Sequence, residues 1–134
     1  ALQTQSPHMV HFFFNVGTLR LTIDIKALYF LESEDNYIKV HYKHNDKMQS
    51  YLLRCKTSTV EKSLEGSSMV RCHRSYIVNT GKIRFMGEEH RMRFVMLDDD
   101  SIKRIPVSKS YYDALLASLN TIGKRDDSVE SAVM

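Results

Sequence analysis

The chain has 134 residues, 43% hydrophobic and 26% charged, which suits one globular domain burying roughly two-thirds of its unfolded surface and leaves no room for a second. Its two cysteines, Cys55 and Cys72, are too few for a disulfide framework and lack metal spacing, and its five glycines form no phosphate-cradling loop. The net charge of +3 and pI near 8.9 admit a polyanionic partner without demanding one, and no apolar run reaches the roughly 18 residues of a membrane span, so both thiols read as reduced and the chain as cytoplasmic.

Ala1 to Pro7 is polar and turn-prone and begins without Met, so residues 1–9 read as a linker or tail and the chain as cut from something longer. Val10 to Val16 and Leu19 to Ile23 flank Gly17-Thr18, the pattern of a hairpin. A connector at Asp24 to Ala27 leads to Leu28 to Leu31, apolar throughout, and then to an acidic run ending in Asp35-Asn36, where the chain should reverse. Tyr37, Lys39, His41 and Lys43 alternate with Ile38, Val40 and Tyr42, a half-buried strand. Asn45-Asp46-Lys47 turns into a strand from Met48 to Leu53.

At Cys55 the period changes. Ser58 and Glu61 have capping-box spacing, and Val60 and Leu64 lie one turn apart, which predicts a short helix from about Thr59 to Leu64. Gly66-Ser67-Ser68 ends it. The stretch Arg71 to Asn79 is polar and cationic until Tyr76, so its first half is expected as an exposed loop held by a strand at Tyr76 to Val78. Further strands are expected at Ile83 to Met86 and Met92 to Leu97, turned by Gly87-Glu88-Glu89, and another at Ile102 to Val107 beyond the Asp98 to Ser101 turn. Pro106 marks an edge or terminus. Ser108 is placed to cap a final helix whose stripe of Tyr112, Leu115, Leu116 and Leu119 ends near Asn120. Residues 121–134 show no periodicity and read as a disordered tail.

Charge is unevenly spread. Between Met69 and Arg93 lie six cations, Arg71, Arg74, Lys82, Arg84, Arg91 and Arg93, against Glu88 and Glu89. His41 and His44 would point to opposite faces of a strand, which argues against a metal site. Asp98, Asp99 and Asp100 are more simply a soluble turn than a cation site. His73, Ser75 and Asp35 supply the residue types of a triad but no nucleophile elbow or oxyanion element. Arg71 and His73 beside Cys72 would lower a thiol pKa, though a plain thiol is the simpler reading. Arg74, the turn at Asp35-Asn36-Tyr37 and the helix start at Ser108-Lys109 together offer guanidinium, amide, hydroxyl and ammonium donors of the kind that bind phosphates and base edges.

Three segments carry a resemblance: Leu28 through Val40; His73-Arg74-Ser75-Tyr76-Ile77-Val78-Asn79 followed by Ile83; and Ile105-Pro106-Val107-Ser108-Lys109 with Tyr111 and Tyr112. In order and spacing they resemble the LytTR DNA-binding domain, found in response regulators of the AlgR, AgrA and LytR kind, over residues 10–120. The resemblance implies a mainly β fold, an elongated antiparallel β-sandwich of about ten short strands with one or two short helices, in line with the strand count above. It also implies a bacterial transcription regulator without enzymatic activity or cofactor, reading double-stranded DNA through loops and bending it.

Carried over by motif, the first contact loop falls on Asn36 and Tyr37 with Lys39, the second on Arg74 with His73, Ser75 and Asn79, and the third on Ser108 and Lys109. His73, Ser75 and Asn79 have an alternative role, holding the loop in shape. Many members have arginine where Lys109 stands, and the lysine favours a phosphate contact over bidentate base reading. The resemblance further implies two copies acting on direct repeats in a promoter, and a receiver domain that is absent here. The rival reading is a β-rich protein-interaction module of a signalling protein; an enzyme built on Cys72 and His73 is a distant third.

Overall fold

A computed structural model of the chain describes residues 9–13 and 19–125, with side chains described from Thr22 to Leu119. Met9–Phe13 (β1) and Leu19–Asp24 (β2) pair antiparallel; their expected turn at Gly17-Thr18 lies outside the described residues. A 3-10 turn at Ile25–Ala27 leads to Leu28–Glu34 (β3), Tyr37–His44 (β4) and Lys47–Arg54 (β5). Helix α1 (Thr57–Ser63) follows, then Met69–His73 (β6) and Tyr76–Asn79 (β7). Ile83–Glu89 (β8), Met92–Leu97 (β9) and Ile105–Val107 (β10) precede helix α2 (Lys109–Arg125).

The strands from β3 to β7 form one antiparallel sheet in the order β5-β4-β3-β7-β6, and β10-β9-β8 form a second. The larger sheet is covered on both faces. On one, Leu31, Ile38, Val40, Leu53 and Ile77 pack with Ile23 and with Val60 and Leu64 of the α1 segment. On the other, Phe30, Cys72 and Val78 meet Val95, Leu97, Ile105 and Val107 of the smaller sheet and Leu115 of α2. A strand buried on both sides has no polar face to show. That is why Leu28 to Leu31 is apolar without alternation, all four residues being buried, whereas β4 alternates around Ile38 and Val40.

The fold is the expected mainly β, antiparallel one, but five local expectations change. Arg71 to His73 lies in β6 instead of a loop: Cys72 points into the second core with no exposure, and the loop shrinks to the two residues Arg74 and Ser75 between β6 and β7. The second change is at Gly87, which lies inside β8. A Cβ there would stand 2.7 Å from ring carbons of both Phe85 and Phe94, so glycine admits two close aromatic rings. The chain reverses instead at His90 and Arg91, both left-handed, with φ 54 and 67.

Third, only Ile105–Val107 of the expected strand from Ile102 pairs with β9, through Val95, Phe94 and Arg93; Pro106 does sit on an edge strand. Fourth, α1 starts at Thr57 and its N-cap, Lys56, makes no side-chain cap bond. The capping box is not used, because Ser58 lies inside the helix instead of at its N-cap, and Glu61 pairs with Arg71 at 2.9 Å. Fifth, α2 continues to Arg125, past the expected end at Asn120, since adding residues to a helix already anchored by Leu115 costs little. Residues 126–134 lie outside the described residues.

Candidate nucleic-acid interface

Two hairpin turns lie side by side at one end of the five-stranded sheet. β3 ends at Glu34, turns at Asp35 and Asn36, and returns at Tyr37; β6 ends at His73, turns at Arg74 and Ser75, and returns at Tyr76. Because β3 pairs with β7 through Glu32 and Tyr76, the turns share that end, and the Ser33 amide donates to the Ser75 carbonyl at 2.8 Å. With strands about 4.8 Å apart, the turn centres lie roughly 10 Å apart. Asp35 supplies the left-handed residue, φ 53, that a tight reversal needs.

The Arg74 turn is braced from behind. The Arg71 guanidinium pairs with Glu61 at 2.9 Å, reaches the His73 carbonyl at 3.3 Å and donates to the Arg74 carbonyl at 2.8 Å. The Ser75 amide donates to His73 Nδ1 at 3.1 Å, which requires that nitrogen to be unprotonated. Burial, then the charges of Arg74 and Arg71, push the His73 pKa below its ordinary value and favour that state. His73 also meets Tyr76 edge-on, ring centroids 5.7 Å apart. The Arg74 side chain stays exposed, and among the described residues it has no carboxylate partner.

The third segment is tied to the same strand. The Ser108 amide donates to the Cys72 carbonyl at 2.9 Å, and the Arg71 guanidinium lies 5.4 Å from the Tyr111 ring centroid, so the start of α2 sits beside the end of β6. Lys109 is its exposed first residue. A cation there opposes the helix dipole, so local helix stability does not account for it.

Of the sequence-derived residues, Asn36, Tyr37, Arg74, Ser75, Ser108 and Lys109 are gathered at these three neighbouring positions. Lys39 lies one pleat further along the same face of β4 as Tyr37, opposite Glu32. His73 and Ser75 hold the turn in shape through the bond between them. Asn79 is the exception. It is 3% exposed, and its amide donates to the carbonyls of Ile25 at 3.0 Å and Leu28 at 2.7 Å, while its oxygen accepts from Ser68 Oγ at 2.8 Å and the Gly81 amide at 2.9 Å. All four hydrogen-bonding positions of the side chain are used. Asn79 is a structural pin and does not face a ligand.

Three residues at this end of the sheet escaped the sequence reading. Arg71 looked like one more surface cation, and Ser33 acts through its backbone, which leaves no mark in side-chain chemistry. Arg54 was legible in principle: a two-residue turn at Asn45-Asp46 makes each residue of β4 face its mirror image on β5, so Tyr37 faces Arg54.

The alternative sites fare differently. Burial pushes the Cys72 thiol up to about 12, the reverse of what its cationic neighbours in sequence suggested. Asp99 is an ordinary turn residue, bonded to Ser101 and paired with Lys43 at 2.9 Å. His41 stacks on Phe30 with centroids 4.0 Å apart. No three potential metal ligands cluster among the described residues, and no described helix is long and apolar enough to cross a membrane.

The family model of the LytTr DNA-binding domain matches residues 20–120. The chain belongs to that family. LytTr domains bind DNA and are not catalytic, which is how the chain is to be understood. It is 30% identical over 98 residues to the sensory transduction protein LytT of Bacillus subtilis, a match covering 72% of this chain and 38% of LytT. The chain thus spans well under half the length of that relative. A solved LytTr DNA-binding domain from Bacillus cereus shares the fold, with a TM-score of 0.59 and 23% identity over 85% of this chain and 98% of that one.

Proposed function

We propose that this LytTr domain reads specific sequences in double-stranded DNA through the loops at one end of its five-stranded sheet, as the output domain of a bacterial response regulator. The observation that carries the reading is Arg74: an exposed arginine without an acidic partner among the described residues, on a turn braced by Arg71, His73 and Ser33. A guanidinium at the tip of a rigid turn is suited to bidentate contact with guanine in the major groove, which is about 12 Å wide. Asn36, Tyr37 and Lys39 on one side, and Ser108 and Lys109 on the other, contribute donors for phosphates and base edges. The domain works in the cytoplasm, pairs with a second copy on promoter direct repeats, and belongs with a receiver domain; the short share of LytT that it spans is in keeping with that.

Selection of bound sequences from a random duplex pool at near-physiological salt tests the reading. Enrichment of a repeated motif by the wild-type chain, blurred in Arg74→Ala, is the expected result. Salt-dependent binding without any enriched motif would remove sequence reading from the proposal.

A second reading has one specific support. On the smaller sheet Phe85 is 52% and Met92 68% exposed, and β8 is an edge strand, features of a protein-docking surface. Steep loss of DNA binding with salt, a log-log slope of about 0.9 per neutralised phosphate, separates the first reading from this one.

A further inference from the structure

We propose that Arg54 is a phosphate clamp of the same interface, gripping the DNA backbone beside the segment that Arg74 reads; this rests on the DNA reading above. Among the arginines whose side chains are described, Arg71, Arg84, Arg93 and Arg104 each pair with a carboxylate. Arg54, Arg74 and Arg91 do not. Arg91 belongs to the turn of the smaller sheet, whereas Arg54 and Arg74 are at the same end of the larger one. Arg54 closes β5 directly opposite Tyr37, the residue that opens β4 after the first turn.

Its position selects phosphate over base. β5 is the outer strand of the order β5-β4-β3-β7-β6, three and a half strand spacings from the middle of the Arg74 turn, roughly 17 Å. With Arg74 inside a major groove about 12 Å wide, Arg54 falls beyond the groove wall, where the backbone runs. The guanidinium lies 6.0 Å from the centroid of the Tyr37 ring, so the ring limits its freedom and aims it before DNA arrives. Arg54 is exposed, and its strand leads into Lys56, so the positive charge extends outward from the row of turns.

The test compares Arg54→Ala, Arg54→Lys, Arg74→Ala and Arg104→Ala in binding titrations on a selected and a random duplex over a series of salt concentrations, with ethylation interference to map phosphates. Arg104 is the control: an exposed arginine of equal charge just before β10 of the smaller sheet, paired with Glu89 at 2.6 Å. Arg54→Ala should weaken both duplexes by the same factor, lower the salt slope by about 1, and lose interference at a phosphate flanking the bases protected by Arg74. Arg54→Lys should restore the slope. An Arg54→Ala protein that binds like Arg104→Ala, while Arg74→Ala loses sequence preference, overturns the clamp and leaves the DNA reading standing. Blurred base preference in Arg54→Ala would also overturn it, by making Arg54 a base reader. If the wild-type chain binds neither duplex at low salt, the DNA reading itself falls.

Discussion

The 2.8 Å bond from the Ser33 amide to the Ser75 carbonyl joins two hairpins that are more than forty residues apart in sequence, so Asn36 and Arg74 are offered to a partner as one rigid unit. Pre-ordering of this kind means that binding does not have to order the loops first. Under the proposed interface, Arg74→Ala should cost about 1 to 3 kcal/mol on the best site and flatten preference at the position it reads, whereas Lys109→Ala should weaken all sequences alike. Equal loss on selected and random duplexes for Arg74→Ala would contradict base reading.

Asn79 should behave differently from both. Its side chain satisfies two carbonyls, a hydroxyl and an amide in the core, and Asn79→Ala abandons them together. The expected loss is about 3 kcal/mol of folding stability, on the scale of a few buried groups left without partners. Denaturant midpoints measure it. Where the variant remains folded its sequence preference should match the wild type, and a blurred motif would return Asn79 to the contact surface.

Much of the fold was legible because its signals are local. Asn45 and Asp46 accept the left-handed conformation at φ 53 and 64, and the alternation of β4 declares its buried face. The difficulties arose where tertiary structure overrode local chemistry. Arginine is a weak signal for a left-handed turn, so local chemistry points to nearby Gly87 and away from His90 and Arg91, although that glycine is needed for Phe85 and Phe94. Arg71 and His73 disguise β6 as a loop because their polar atoms serve the Arg74 turn. The site was legible as residue types, but which of them face outward was not: Asn79 and Arg74 are both polar and five positions apart, and only the packing of Leu28 and Ser68 around Asn79 tells them apart.

Acid should destabilise the domain. His41 and His73 both have pKa values below the ordinary 6.5, chiefly through burial, which outweighs the Glu32 contact of His41 and is reinforced at His73 by Arg74 and Arg71. A histidine whose folded pKa is depressed takes up its proton more readily when unfolded, so stability is retained above the unfolded value and falls as pH drops below about 6.5 towards the folded values. Denaturation midpoints at pH 7.5 and 5.5 should therefore differ, the lower belonging to pH 5.5. A His41→Phe, His73→Asn double variant should show a smaller difference, and an unchanged one would assign the effect to other groups.

Gly87→Ala tests the smaller sheet without touching the loops. The added methyl would meet Phe85 Cε2 and Phe94 Cζ, each 2.7 Å away. Phe85 is half exposed and free to swing, but Phe94 is 9% exposed and covered by the Arg104 guanidinium 4.0 Å from its centroid. The cost should therefore be that of overpacking, about 1 to 3 kcal/mol, and part of it should vanish when Phe94 is shortened. In a double-mutant cycle Gly87→Ala with Phe94→Leu should be more stable than the sum of the single changes predicts, by about 1 kcal/mol. Strict additivity would mean that the methyl is accommodated elsewhere. Because β8 lies outside the five-stranded sheet that carries Asn36 and Arg74, the folded variant should select the same DNA motif as the wild type.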